Sequence, residues 1–285
     1  MNNLKTAILL ILLTAILVSV GSLVGGPRGA AVAFGIAVLM NGAAYWFSDK
    51  MVLRMYRAQE VTEAQAPEFY QVVANLAQRA GLPMPRVYII PSPALNAFAT
   101  GRNPQHAAVA ITEGLLRTLD RNELEGVMAH ELCHVRHRDI LIGSLAATVV
   151  GAITMLSSMI RWGAILGGGR SGDGEGGGNP LFAVFASMIA AMAATLVQLA
   201  ISRSREYEAD AGAAKLAGTP FGLIQALRKL ELASQRVPLG GSPAAAHLFI
   251  VNPLSGGGVM KLFRTHPTTE DRIRRLEGLV GVRSS

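Results

Sequence analysis

Four stretches of this chain, residues 6–25, 29–47, 140–160 and 181–201, are almost wholly apolar and hold no internal charge. Each is close to the roughly 20 residues a helix needs to cross the hydrocarbon of a bilayer. A spanning segment must satisfy its own backbone hydrogen bonds, which leaves helices and closed barrels as the available forms. Composition agrees, since 51% of the 285 residues are hydrophobic and 16% are charged, an apolar excess over the usual soluble domain. Two helical hairpins are expected. The first stretch follows Lys5 as a signal peptide would, but it is long, no A-x-A-like site follows, and a second apolar segment begins a few residues later. A retained hairpin is therefore the expectation.

Removing the spans leaves two polar pieces, each small for a core of its own and together large enough for one domain. The expected organisation is an N-terminal transmembrane hairpin (1–47), the first part of a polar domain (48–139), a second hairpin with a glycine-rich loop (140–201), and the second part of the domain (202–285). The short links hold only Arg28, Arg161 and Arg170 of the 26 Lys and Arg residues. Lys50, Arg54, Arg57, Arg136, Arg138, Arg203 and Arg205 flank the spans on the other side, so the positive-inside rule places the polar domain and both termini in the cytoplasm. The formal net charge of +7 then faces a lipid bilayer with anionic headgroups. Nucleic acid is excluded as a partner, because no binding motif or basic-aromatic stripe is present. The glycine run from Gly167 to Gly178 lacks the Lys-Ser/Thr ending and the preceding strand of a phosphate loop, and reads as a linker. The single Cys133 excludes an intramolecular disulfide and fits a reducing compartment.

Within the polar pieces, Phe69, Val72, Val73 and Leu76 are at helical spacing, with Gly81 and Pro83 as the stop. The stretch PRVYIIPSPALNAFATGRNPQHAAVAIT breaks into short β-prone runs and predicts a small antiparallel sheet. Asp120 with Glu123 three residues on approximates a capping box for the next helix. Two further helices are expected around Gly218 and Pro220, and a last one after THPTTEDR.

The chemistry is carried by AHELCHVRHRD. Positions i and i+4 share one face of a helix, so His130 and His134 can present two imidazole nitrogens to one ion while Glu131 reaches a water beside it. Zinc takes such ligands tetrahedrally and acidifies bound water, but a third ligand is required. Cys133 reads as a small packed side chain, and His137, among Arg136, Arg138 and Asp139, as a residue facing headgroups. Six residues separate His134 from the third apolar span, and five separate the end of the fourth from Glu206. At about 1.5 Å per residue these are similar heights above one membrane face, if both helices continue unbroken. Asp210, four residues past Glu206, faces the same way and can orient a ligand histidine. A solvated acidic face is the other reading of REYEAD; the shared height favours a ligand and its orienter.

Together, AHELCHVRHRD, SRSREYEADAGAAKL and RTHPTTEDRI, with two apolar hairpins in the same order, resemble the HtpX membrane metalloproteases, relatives of the CAAX prenyl proteases. The resemblance covers essentially the whole chain. It implies a mainly α-helical membrane protein with four transmembrane helices and a cytoplasmic zincin-type, thermolysin-like α+β protease domain with a small β-sheet. By the same resemblance, His130, His134 and Glu206 hold one zinc per chain, Glu131 is general base and then acid, and Asp210 supports the ligands. His266 and Arg272 would act at the scissile carbonyl and its oxyanion, and Asn96 of LNAFATG would contact substrate backbone. The implied substrates are unfolded or damaged membrane proteins, cut on the cytoplasmic side of a bacterial inner membrane as stress-related quality control.

The sequence also weighs against rival functions. The charges of Arg136, His137, Arg138 and Asp139 beside the histidines argue against proteolysis inside the bilayer. Four spans are too few to wall the chamber that prenyl-peptide processing would want. A metal sensor or adaptor needs no base such as Glu131, and a transporter would carry ionisable residues within its spans.

Overall fold

The computed structural model describes residues 2–142, 203–236 and 267–281. Its first helix, α1 (Asn2–Met55), is two arms joined by a reversal at Gly25 and Gly26. Gly26 has φ 57° and ψ −147°, a conformation that costs glycine little and other residues much. Pro27 opens the second arm, where a missing N–H leaves nothing unsatisfied. The arms lie side by side, because the Asn41 amide donates to Leu10 C=O at 3.2 Å and to Thr14 Oγ1 at 2.8 Å.

Val32, Phe34, Val38, Leu39, Trp46 and Phe47 stand exposed along the second arm. Among the described residues, one helix, Gly25–Met55, is long and apolar enough to cross a membrane, with mean hydropathy 1.6. Only 11% of its most apolar window is buried, so the rest of the protein does not shelter it as it would a core helix. The spans expected at 140–160 and 181–201 lie outside the described residues, apart from Ile140, Leu141 and Ile142.

The sheet contains β1 (Gln59–Glu60), β2 (Arg86–Ile90), β3 (Ala97–Thr100) and β4 (Ala108–Thr112) in the order β1-β2-β4-β3. It is mixed, which corrects the antiparallel expectation: β2 and β4 run parallel, with Arg86 opposite Ala108 and Ile90 opposite Thr112. The chain passes over the place of β4, lays β3 at the edge, and returns through a 3-10 turn (Pro104–His106) to pair β4 antiparallel with it. Both faces of β4 are buried. Val109 and Ile111 join a core with Val73, Leu76, Met128 and Leu132. On the other face, Ala108 and Ala110 meet Val52 and Leu53 from the end of α1, so the N-terminal helical hairpin is seated directly on the sheet.

Helix α2 (Pro67–Ala80) buries Phe69, Val72, Val73, Leu76 and Ala77 and ends at Gly81 with φ 65°, a left-handed stop suited to glycine. A short α3 (Glu113–Thr118) leads to α4 (Arg121–Arg136), followed among the described residues by α5 (Arg203–Ala217), α6 (Phe221–Arg236) and α7 (Thr269–Gly281). Helix α4 is the hub, packed by α2, α5, α6 and β3. It begins with a full capping box: Asp120 Oδ1 accepts from the Asn122 and Glu123 N–H groups, and Glu123 Oε2 accepts from Asp120 N–H at 2.8 Å. Lys229 of α6 donates to the same Glu123 oxygen at 2.6 Å. A Cβ on Gly126 would lie 2.4 Å from the Leu223 nitrogen, so only glycine lets α6 cross this closely.

Helix α4 stops at Arg136. A turn follows, with Arg138 at φ 59°, before helical backbone resumes at Ile140. An unbroken helix from the histidines into the third span is therefore not what the structure shows.

Candidate active site

Helices α4 and α5 bring His130, His134 and Glu206 together. The two histidine Nε2 atoms are 3.2 Å apart. Glu206 lies 3.6 Å from His130 Nε2 through one oxygen and 3.5 Å from His134 Nε2 through the other. Ligand atoms about 2.0–2.1 Å from a tetrahedral ion stand about 3.3 Å from one another, and the observed separations are close to such edges. These three residues form a group able to hold a metal.

The hydrogen bonds behind the rings explain why the pairs of electrons converge. His130 Nδ1 is 2.9 Å from Asp210 Oδ1, and His134 Nδ1 is 3.1 Å from Asp139 Oδ2. A carboxylate accepts, so each ring donates from Nδ1 and turns Nε2 inward, where a lone pair is free to ligate once that nitrogen is deprotonated. Two such nitrogens facing one another next to a carboxylate are the donor set that a cation requires. The residues present fit a zinc-type ion.

Asp210 is held in turn by Arg272, whose Nε and Nη2 donate to its two oxygens at 2.9 and 2.7 Å. Arg272 is 1% exposed. Burial opposes charge on Asp210, but Arg272 and then His130 outweigh it and hold the carboxyl well below its usual range. Burial likewise opposes the Arg272 cation, and Asp210, Glu206 and Glu131 lift it above its ordinary pKa. For His130, burial and Arg272 work against protonation, while Asp210 and Glu206 prevail and push the pKa up to about 9.

Glu131 is buried beside this group, and its Oε2 accepts the Ala99 N–H of β3 at 2.9 Å. Burial raises its pKa, partly countered by the neighbouring His130 and His134. Asn96, just before β3, is buried; its N–H donates to Thr112 Oγ1 at 3.0 Å, and its Oδ1 has no hydrogen-bond partner among the described residues. His266 lies outside the described residues.

Cys133 is packed under α5, where a Cβ on Gly212 would come within 2.7 Å of its sulfur. Burial pushes its thiol up to about 11, so near neutral pH it offers no thiolate. His137 is exposed on the turn.

Asp139 is the residue the sequence did not single out. Its charge reads as one of several facing headgroups, yet it is buried, orients His134, and takes Arg205 Nη1 at 3.3 Å on its other oxygen. The reversal at Arg138 folds it back over the preceding turn, with Asp139 N–H donating to His134 C=O at 2.9 Å. A left-handed residue between the histidine and the span would have been the signal, and a charged sequence does not announce one.

Residues 63–280 match the profile of Peptidase family M48. The chain is 54% identical over 275 residues to a protein described as Protease HtpX homolog from Desulforapulum autotrophicum, covering 96% of this chain and 89% of that one. It is 55% identical over 282 residues to a protein of the same description from Syntrophotalea carbinolica, covering 98% and 99%. Among solved structures, the crystal structure of S. mikatae Ste24p is similar with TM-score 0.48 and 19% identity, over 87% of this chain and 57% of that one. With a metal-ready group on α4 and α5 and a profile match that takes in both helices, this chain belongs to peptidase family M48, a family of metalloproteases.

Proposed function

We propose that the chain is a zinc endopeptidase of a bacterial inner membrane, with four transmembrane helices, that cuts unfolded or damaged membrane proteins on the cytoplasmic side as part of quality control under stress. Charge asymmetry about the apolar segments supports the orientation. The relatives described as HtpX homologues support the protease reading.

The observation that carries the reaction is the placement of Glu131. Zinc bound by His130, His134 and Glu206 would polarise a peptide carbonyl and acidify the attacking water. Glu131 takes that water's proton and delivers it to the leaving amine. The Ala99 N–H fixes its direction.

Among the described residues, strand β3 has one neighbour in the sheet. Because the Ala99 N–H points to Glu131 rather than to β4, the base stands on the edge of β3 that faces away from β4. An extended peptide added to that edge lies alongside Glu131, with affinity from backbone hydrogen bonds and little sequence selectivity. The amide oxygen of Asn96, which has no hydrogen-bond partner among the described residues, supports a contact with substrate backbone at the start of the edge. His266 keeps the carbonyl-side role implied by the resemblance. Arg272, which the resemblance puts at the scissile carbonyl, is buried and gripped by Asp210, and in this reading it acts instead through His130 as a positioning residue.

The test is cleavage of an unfolded membrane protein by purified protein stripped of metal and then restored with zinc, beside Glu131→Gln. We expect restored wild-type activity and a loss of about 10²-fold or more in the variant, with zinc still bound. Equal cleavage by a zinc-loaded Glu131→Gln protein would contradict the reading. Sealed vesicles of either orientation, each offered a soluble unfolded substrate, test the side on which cutting occurs.

A further inference from the structure

Where α1 leaves its apolar arm it presents two faces. Val52 and Leu53 are buried against Tyr88, Phe98 and Ala110 of the sheet. Lys50 and Arg54, spaced i and i+4, share another side of the helix, and Arg57 follows two residues past its end. With Arg86 of β2 they line a cavity of about 520 Å³, walled on its apolar side by Leu53 and Tyr88.

Among the described residues, one of the four cations is in an ion pair, and Lys50 stands over the Phe47 ring at 5.6 Å. Arg86 donates to Asp49 Oδ2 at 2.7 Å and to the Tyr88 hydroxyl at 3.1 Å, and that hydroxyl donates to Glu60 at 2.8 Å. Lys50, Arg54 and Arg57 enter no ion pair among the described residues. Like charges at i and i+4 repel one another, and Arg57 on the same wall adds to the repulsion unless an anion lies between them.

Arg57 adds an independent observation. It has φ 53°, at a helix stop where Ala58 N–H reaches Leu53 C=O at 2.9 Å and Arg57 N–H reaches Arg54 C=O at 3.0 Å. Glycine fills such a position with least strain. Arginine there is unfavourable for the backbone, and it places a guanidinium on the wall of the cavity.

Resting on the reading of Gly25–Met55 as a membrane span, we propose that this cleft binds the phosphate headgroup of an anionic phospholipid. The charge-free stretch ends at Phe47, and Lys50, Arg54 and Arg57 follow it within about 15 Å at about 1.5 Å per residue, which puts the three cations at headgroup level. Phe47 and Met51, exposed on the same helix, offer apolar surface to the acyl chains. A lipid held there fixes the end of the span to β2, which joins through β4 to the edge strand that anchors Glu131.

The experiment uses the full-length, metal-loaded protein in zwitterionic detergent. Binding of phosphatidylglycerol and of phosphatidylcholine is measured by native mass spectrometry for wild type, for Lys50→Gln/Arg54→Gln/Arg57→Asn, and for a charge-matched control, Arg79→Gln/Arg117→Gln/Arg274→Gln. Asparagine is chosen at Arg57 because it tolerates left-handed backbone. All six positions are exposed, so folding is expected to be kept; the single Arg54→Gln, expected to lose part of the preference, provides a milder second variant. Wild type and control should favour phosphatidylglycerol by about tenfold or more, and the cleft variant should lose that preference. No preference in wild type, or an equal loss in the control, would overturn the proposal. Inorganic phosphate at millimolar concentration is expected to leave wild-type melting unchanged; a shift that the cleft variant abolishes would identify a soluble anion instead and would overturn the lipid assignment. Peptide cleavage in zwitterionic detergent should be unchanged in the cleft variant, which separates this test from that of the protease reading.

Discussion

His134 donates its Nδ1–H to Asp139, five residues later in the chain, at 3.1 Å. The bond does for this ring what Asp210 does for His130, and Arg205 of α5 steadies the carboxylate from behind. Replacing Asp139 by Ala should weaken metal binding about 10–100-fold. Asp139→Asn should lose less, since an amide oxygen still accepts from the ring. Competition with a chromogenic chelator measures both; unchanged affinity in Asp139→Ala would mean that packing alone orients His134.

The Asp210–Arg272 pair should matter more for folding. Both side chains are almost wholly buried, so Arg272→Met leaves a buried carboxylate without its cation and should destabilise the protein by about 3–5 kcal/mol. Adding Asp210→Asn should recover part of that loss, giving a double variant less destabilised than the sum of the singles. Denaturant unfolding in detergent reads the cycle, and strict additivity would count against the coupling.

Metal binding should be linked to protons. With the pKa of His130 pushed up to about 9 in the metal-free protein, a proton must leave the ring before it can ligate. Metal affinity should therefore fall by up to about tenfold per pH unit as pH drops below about 9. The same shift has the opposite sign for the metal-free fold: its stabilising contribution is complete below the ordinary value of 6.5 and is lost as pH rises through about 9. Calorimetry in buffers of different ionisation enthalpy should show close to one proton released from His130 per ion near neutral pH. A proton count near zero would contradict this.

How far the sequence carries differs from element to element. The burial of Phe69, Val72, Val73 and Leu76, the stop at Gly81 and the capping box at Asp120 follow from local chemistry, and each is present. The histidine pair is legible because helical spacing alone puts both imidazoles on one face of α4. The parallel pairing of β2 with β4 is not, since it depends on where β3 is laid, a non-local choice that no short run of residues encodes. Asp139 escapes for a related reason: its role follows from the left-handed turn at Arg138 rather than from its own identity. Glu206 is close to both histidines even though α4 breaks at that turn, so the packing of α5 on α4, with Gly212 against Cys133, sets the contact that span heights only approximate.

X-ray absorption at the zinc edge, recorded on the loaded Glu131→Gln protein with and without Glu206→Ala, tests directly whether His130, His134 and Glu206 share one ion. The account predicts a nitrogen and oxygen shell containing two imidazoles and no sulfur, with zinc held far more weakly once Glu206 is removed. A shell containing the Cys133 sulfur, or a spectrum and affinity indifferent to Glu206→Ala, would contradict it.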